Sequence, residues 1–268
     1  MPQIELADAL PHPIAYVLAG GASFGATQVG HLRALAETDL RPDFVVGTSV
    51  GSLNGAVVAE DPEAAPARLT ELWDTVTKQE IFGTALNHAV NIATGRPSAS
   101  HNDGLRAFIE RAIKARTFEE LALPHTAMAT DFDTGRAVAL DQDDLISALL
   151  ASAAIPVVFP AVERKGRTRV DGGLVANVPI SVAAGMGAAT IVVLDCGFTV
   201  MPPAREDTYG GRLLRTAAIM AAQQVRRDLE SVTDRTVLYL PGPWPIRTRP
   251  DDFKAAPDIA SRTFGLTM

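Results

Sequence analysis

Ser49 lies in Gly47-Thr48-Ser49-Val50-Gly51, a Gly-x-Ser-x-Gly pattern. A serine becomes a nucleophile where a tight turn lifts its hydroxyl clear at the end of a strand, and such a turn has no room for flanking side chains. Gly47 and Gly51 supply that room. Five-residue matches with two glycines also arise by chance, giving a strand–helix turn with an idle serine. The context decides: Asp43-Phe44-Val45-Val46 reads as a strand. The small-residue stretch after Gly51 reads as a helix whose positive end faces the serine. A second glycine cluster stands earlier, in LAGGASFGATQVGHL from Leu18 to Leu32. Gly20 and Gly21 are adjacent, Gly25 follows, and an apolar helical pattern begins. This is a loop shaped to hold an anion, yet it contains no lysine or arginine.

A serine nucleophile needs a base. The histidines are His12, His31, His88, His101 and His125, and none follows His125. The order serine, acid, late histidine of an α/β-hydrolase is therefore absent. The histidines read as surface or helix residues. The remaining candidate is Asp171, in Arg169-Val170-Asp171-Gly172-Gly173. Two following glycines let the chain turn sharply and leave the carboxylate facing a cleft. Taken alone, that segment reads better as an ordinary Asp-Gly turn.

The elements that must position these residues follow from hydrophobic patterning. IAYVLAGG reads as a buried strand ending in glycines, GATQVGHLRALAET as a helix, and DFVV as a second strand entering the serine turn. Strand–loop–helix repetition predicts an α/β fold with a mainly parallel central sheet in a three-layer sandwich. Residues 61–120 are polar and helical and are expected to form a cap or insertion within a single domain of 1–268. Two hairpins are expected, around Asp133-Thr134-Gly135 and around Glu163-Arg164-Lys165-Gly166. A helix over 180–188, a buried strand ATIVVLDC, an amphipathic helix over 211–232, an apolar run TVLYLPG and a proline-rich end complete the chain.

Composition narrows the function. With 268 residues, 47% of them hydrophobic, the chain can bury a sizeable core. A net charge of −7 argues against nucleic-acid binding, which needs a basic face. The single cysteine, Cys196, excludes an internal disulfide and a cysteine-rich zinc site. No histidines and carboxylates stand at ligand spacing, so neither a metal nor any other cofactor is expected. The acidic, proline-containing N-terminus lacks a signal-peptide pattern, and a cytoplasmic location is expected. Residues 145–162 and 172–194 are uncharged and long enough to test as membrane spans. Pro156 and Pro160 interrupt the first; Asn177, Pro179 and four glycines interrupt the second.

The three motifs in this order resemble the patatin-like phospholipase family, serine acyl hydrolases that use a Ser–Asp dyad. The family's Gly-Gly-Gly-x-Arg/Lys-Gly loop corresponds to Gly20–Gly25, its serine turn to Gly47–Gly51, and its Asp-Gly-Gly/Ala motif to Asp171–Gly173. Softer similarity in ATDFDTGRAVAL, ASAAIPVVFPAV and NVPISVAAGMGA extends the resemblance over residues 14 to 200. It implies a patatin-like fold, Ser49 as nucleophile, Asp171 as base, and an oxyanion hole of backbone N–H groups around Gly20, Gly21 and Ala22. It implies hydrolysis of a lipid or lipid-like ester through an acyl-serine, with peripheral contact at a membrane as an accompanying expectation. Acyl transfer by the same dyad, and a binding protein that has lost turnover, are the competing readings. A nucleotide site is disfavoured, since GGASFG is neither G-x-G-x-x-G nor a P-loop. The chain departs from the family at Ala22, where a glycine is usual, and at Phe24, where the family has a basic residue. Phe24 is a candidate either for the substrate pocket or for packing under the loop. Loss of the basic side chain weakens the case for anionic phospholipids.

Overall fold

The computed structural model describes residues 9–83, 98, 100–200, 209–246 and 248–268. His88 and much of the middle of the expected insertion lie outside the described residues. An eight-stranded sheet runs through the molecule in the order β5-β6-β3-β2-β1-β7-β8, with β4 pairing beside β3. The strands are β1 Ile14–Leu18, β2 Phe44–Thr48, β3 His125–Asp131, β4 Ala137–Leu140, β5 Val162–Arg164, β6 Arg167–Asp171, β7 Thr190–Leu194 and β8 Thr236–Leu240. β3, β2, β1, β7 and β8 are parallel. β3–β4 and β5–β6 are the two expected hairpins, and β6 joins them by pairing antiparallel with β3. β1, β2 and β7 are buried at every residue. That is why their sequences are continuous apolar runs instead of alternating ones.

Among the described residues the helices are α1 Ala26–Ala36, α2 Val50–Glu60, α3 Ala65–Thr75, α4 Lys78–Phe82, α5 Asp103–Ala112, α6 Leu145–Ser152, α7 Ile180–Gly185, α8 Tyr209–Ser231 and α9 Ala256–Thr267. The fold is mixed α/β with a mostly parallel sheet, as expected. Helix α2 is buried from Val50 to Ala59, which explains its small and apolar composition. The two stretches tested as spans break into shorter pieces. Residues 145–162 become α6, a loop and the start of β5; residues 172–194 become a turn, α7 and β7. No helix among the described residues is long and apolar enough to cross a membrane.

The proline-rich end holds a helix that the sequence reading did not contain. Pro257 occupies the first turn of α9. A proline there sacrifices no hydrogen bond, because the first helical N–H groups have no intrahelical partner. Helix α9 packs along α1, where Gly30 leaves room for the backbone of Ala260 and Phe264.

The topology also locates a crevice. From β1 the chain moves to β2 and then β3 on one side, whereas β7 enters on the other side of β1. Parallel sheets bind ligands outside the carboxyl ends of the strands at such a reversal. The glycine loop leaves β1 there, and Ser49 leaves β2 beside it.

Candidate active site

Strand register brings Ser49 and Asp171 together. Thr48 is level with Met128 across the β2–β3 pair, and Ala129 is level with Asp171 across the β3–β6 pair. Ser49, the residue after Thr48, therefore stands at the level of Asp171 with one strand between them. The two backbones are roughly 10 Å apart at ordinary strand spacing, a gap their side chains close above the end of β3. The Ser49 hydroxyl donates to Asp171 Oδ2 at 2.7 Å.

The serine turn is strained. Ser49 has φ 54° and ψ −126°, a conformation that side chains rarely adopt. It persists because the surroundings fix it. A Cβ on Gly47 would strike the Gly51 carbonyl, and one on Gly51 would strike the carbonyls of Leu18 and Ala19. These clashes are the physical requirement behind both glycines of the pattern. The Ser49 N–H donates to Ser152 Oγ at 3.0 Å, and the Ser152 hydroxyl donates to the Met128 carbonyl at 2.6 Å. Ser152 thus ties the turn to β3. Nothing in the sequence singled it out from its small-residue helix.

Asp171 is held as firmly. Its Oδ1 accepts from Gly173 N–H at 2.7 Å, and its carbonyl accepts from the Thr130 hydroxyl at 2.8 Å. Its N–H donates to the Ala154 carbonyl at 2.9 Å. Gly172 is pressed against the Met128 carbonyl, where a side chain would not fit. Burial pushes the Asp171 carboxyl up to about 6, against the lowering effect of the Ser49 and Gly173 donors.

The glycine loop lies against the serine: a Cβ on Gly20 would come within 3.3 Å of Ser49 Cβ. The Gly20 N–H itself donates to the Asn177 carbonyl at 3.0 Å, so it is already engaged. The N–H groups of Gly21 and Ala22 donate to no acceptor among the described residues. Ala22 has φ 51°, so its position is one that glycine would occupy with less strain. Phe24 is fully buried under the loop and takes no part in the pocket lining, because the short 3-10 turn Ala22–Gly25 carries it inward. Of its two expected roles, packing is the one its position fits.

Beneath the loop lies a polar network that motif reading missed. The buried Gln28 side chain donates to the carbonyls of Ala19 and Leu194, at 2.8 and 3.2 Å, and accepts from Asn54 at 2.8 Å. Asn54 also donates to the Gly25 carbonyl at 3.1 Å and accepts from Trp73 Nε1 at 3.1 Å. Buried amides satisfied at both ends fix the loop relative to α1, α2 and α3. Gln28 and Asn54 sit on helices of weak amphipathic pattern, which hid them.

No histidine among the described residues bonds to either Ser49 or Asp171. His125 and His31 are buried, and burial pulls both down to about 4. His125 packs against Phe118 at the far end of β3. His12 pairs with Asp43 at 2.6 Å. Among the described residues no group of histidines, cysteines and carboxylates is arranged to hold a metal ion.

A narrow apolar recess opens on Ser49, with Ala22, Val50, Trp73 and Phe253 among its walls. Its described lining contains no charged residue. A serine hydroxyl bonded to a buried carboxylate, two free N–H groups nearby and an adjoining apolar recess can together perform acyl transfer chemistry.

A model of the patatin-like phospholipase family matches residues 16–184, and the chain belongs to that family. Patatin-like phospholipase domain-containing protein 7 of Mus musculus is 33% identical over 187 residues, covering 69% of this chain and 14% of that protein. Lysophospholipase NTE1 of Mycosarcoma maydis is 28% identical over 210 residues, covering 74% of this chain and 10% of that protein. The chain thus spans only a small part of the length of these relatives. Among solved structures, VipD from Legionella pneumophila aligns with a TM-score of 0.46 at 13% identity, covering 96% of this chain and 67% of that one.

Proposed function

We propose that this protein is a serine acyl hydrolase that cleaves carboxylic esters of lipid or lipid-like substrates through an acyl-Ser49 intermediate. The observation that carries this reading is the 2.7 Å bond from the Ser49 hydroxyl to Asp171, both residues nearly fully buried beside an apolar recess. Family membership supports lipid hydrolysis as the class of reaction, and the geometry of the pair supports the roles given to Ser49 and Asp171.

In this mechanism Asp171 accepts the Ser49 proton as Oγ attacks the ester carbonyl carbon. Negative charge passes to the carbonyl oxygen, where the Gly21 and Ala22 N–H groups receive it. Fixed backbone donors stabilise such an oxyanion without reorganisation, and each is worth on the order of 3 kcal/mol. Collapse of the intermediate breaks the bond to the alcohol oxygen, which takes the proton from Asp171. Water then attacks the acyl-serine, with Asp171 again accepting a proton, and Ser49 is regenerated. An anion held by N–H groups explains a glycine loop with no lysine or arginine.

Asp171 suits the role because its pKa, raised to about 6, lies near neutral pH. A base is most effective when it is ionised at the working pH yet still basic enough to take a proton. Hydrolysis of a neutral p-nitrophenyl ester tests the reading. Ser49→Ala and Asp171→Asn should each lower kcat by at least about 10³-fold with the fold intact by circular dichroism. Retention of wild-type turnover by Ser49→Ala would exclude the mechanism.

A further inference from the structure

We propose that Phe253, carried by the C-terminal segment beyond the family-matched residues, closes the acyl recess and restricts it to short acyl chains. This inference rests on the serine hydrolase reading above. The recess has a volume of about 50 Å³. That is small beside the roughly 300–1,000 Å³ of ordinary small-molecule pockets. So small a space suits a short acyl chain better than a long fatty one.

Phe253 is one of the residues that line the space, and it bridges the aromatic part of its wall. Its ring stacks on Trp73 at 6.0 Å between centroids and meets Phe82 edge-on at 6.1 Å. Phe82 in turn stacks on Phe159 at 5.4 Å. The four rings form a continuous wall, and Phe253 joins its two halves. Trp73 is fixed by its bond to Asn54. Phe253 has no such anchor, so its position depends on the segment that carries it.

That segment is fastened to the proposed catalytic loop. The Ser23 N–H donates to the Pro250 carbonyl at 2.9 Å, one residue after Ala22. Lys78 pairs with Asp251 at 2.5 Å, joining the segment to the helix that bears Phe82. The family match ends at residue 184. Phe253 thus brings to the recess a wall residue from outside the matched region, while the other described lining residues lie within it.

The test is kcat/KM on p-nitrophenyl acetate, butyrate, hexanoate, octanoate and dodecanoate for the full chain, Phe253→Ala, Phe253→Leu and Leu266→Ala. The wild type should be fastest on acetate or butyrate and slower by about tenfold or more on octanoate, since single methylenes in a filled pocket discriminate by that order. Phe253→Ala should move the maximum to hexanoate or octanoate, and Phe253→Leu should move it less. Leu266, exposed on α9, should leave the profile unchanged when replaced. Phe253→Leu keeps the proposal testable if the alanine variant fails to fold. A wild type that prefers dodecanoate, or variants whose rates change equally for every ester, would overturn it. Fluorophosphonate labelling of Ser49 run in parallel separates the failures. Labelling with an unaltered chain-length profile overturns only the role of Phe253, whereas absence of labelling overturns the hydrolase reading and this inference with it.

Discussion

At the scale of single residues, burial both equips Asp171 for its proposed role and weakens the fold. Its carboxyl is raised from 3.8 to about 6 by burial. Activity should fall about tenfold per pH unit below about 6, as the base becomes protonated, and a pH profile of kcat/KM checks this. Stability should respond in the opposite sense. The folded state binds this proton more tightly than the unfolded state, so the stabilising contribution is fully present below 3.8 and is lost as pH rises through about 6. Asp171→Asn, which stays neutral, should therefore melt above the wild type at pH 8, with the gap narrowing toward pH 4. Ser49 carries its own cost in its φ of 54°. Ser49→Gly should relieve backbone strain that Ser49→Ala keeps, and it should be the more stable of the two by about 1 kcal/mol in denaturant unfolding. The serine was legible because its two glycines answer a steric demand that no other residue meets. Ser152 and Asn177 were not, since a hydrogen bond across the fold leaves no local spacing to read.

At the scale of elements, the strands were legible and one helix was not. Buried parallel strands announce themselves as short apolar runs, and β1, β2 and β7 all did, as did the half-buried edge strand β8. Both hairpins were marked by glycine turns, and the antiparallel pairing of one with the other through β3 and β6 delivers Asp171 to the level of Ser49. Helix α9 was hidden because Pro257 in its first turn looks like a breaker when the start of the helix is unknown. Its contact with α1 depends on Gly30, where a Cβ would collide with the Ala260 carbonyl and crowd Thr263 Cβ at 2.6 Å. Gly30→Ala should force the two helices apart, and overpacking of this kind costs about 1–3 kcal/mol. A lower Tm would be expected despite the better helix propensity of alanine. A Tm at or above wild type would mean that the helices shift freely against each other.

At the scale of the whole molecule, the proposed site is a convergence of distant segments. The glycine loop leaves β1, the nucleophile leaves β2, the base closes β6, and the recess wall comes from α3, α4 and the segment before α9. Motif order alone pointed to the first three. The fourth required the fold, because Phe253 shares no spacing with the other residues and reaches the recess only through long-range packing. The central claim is that Ser49, activated by Asp171, is the nucleophile, and peptide mapping after treatment with a fluorophosphonate tests it most directly. The account predicts an adduct on Ser49 that is absent from Ser49→Ala and strongly reduced in Asp171→Asn. An adduct on any other residue, or undiminished labelling of Asp171→Asn, would contradict it.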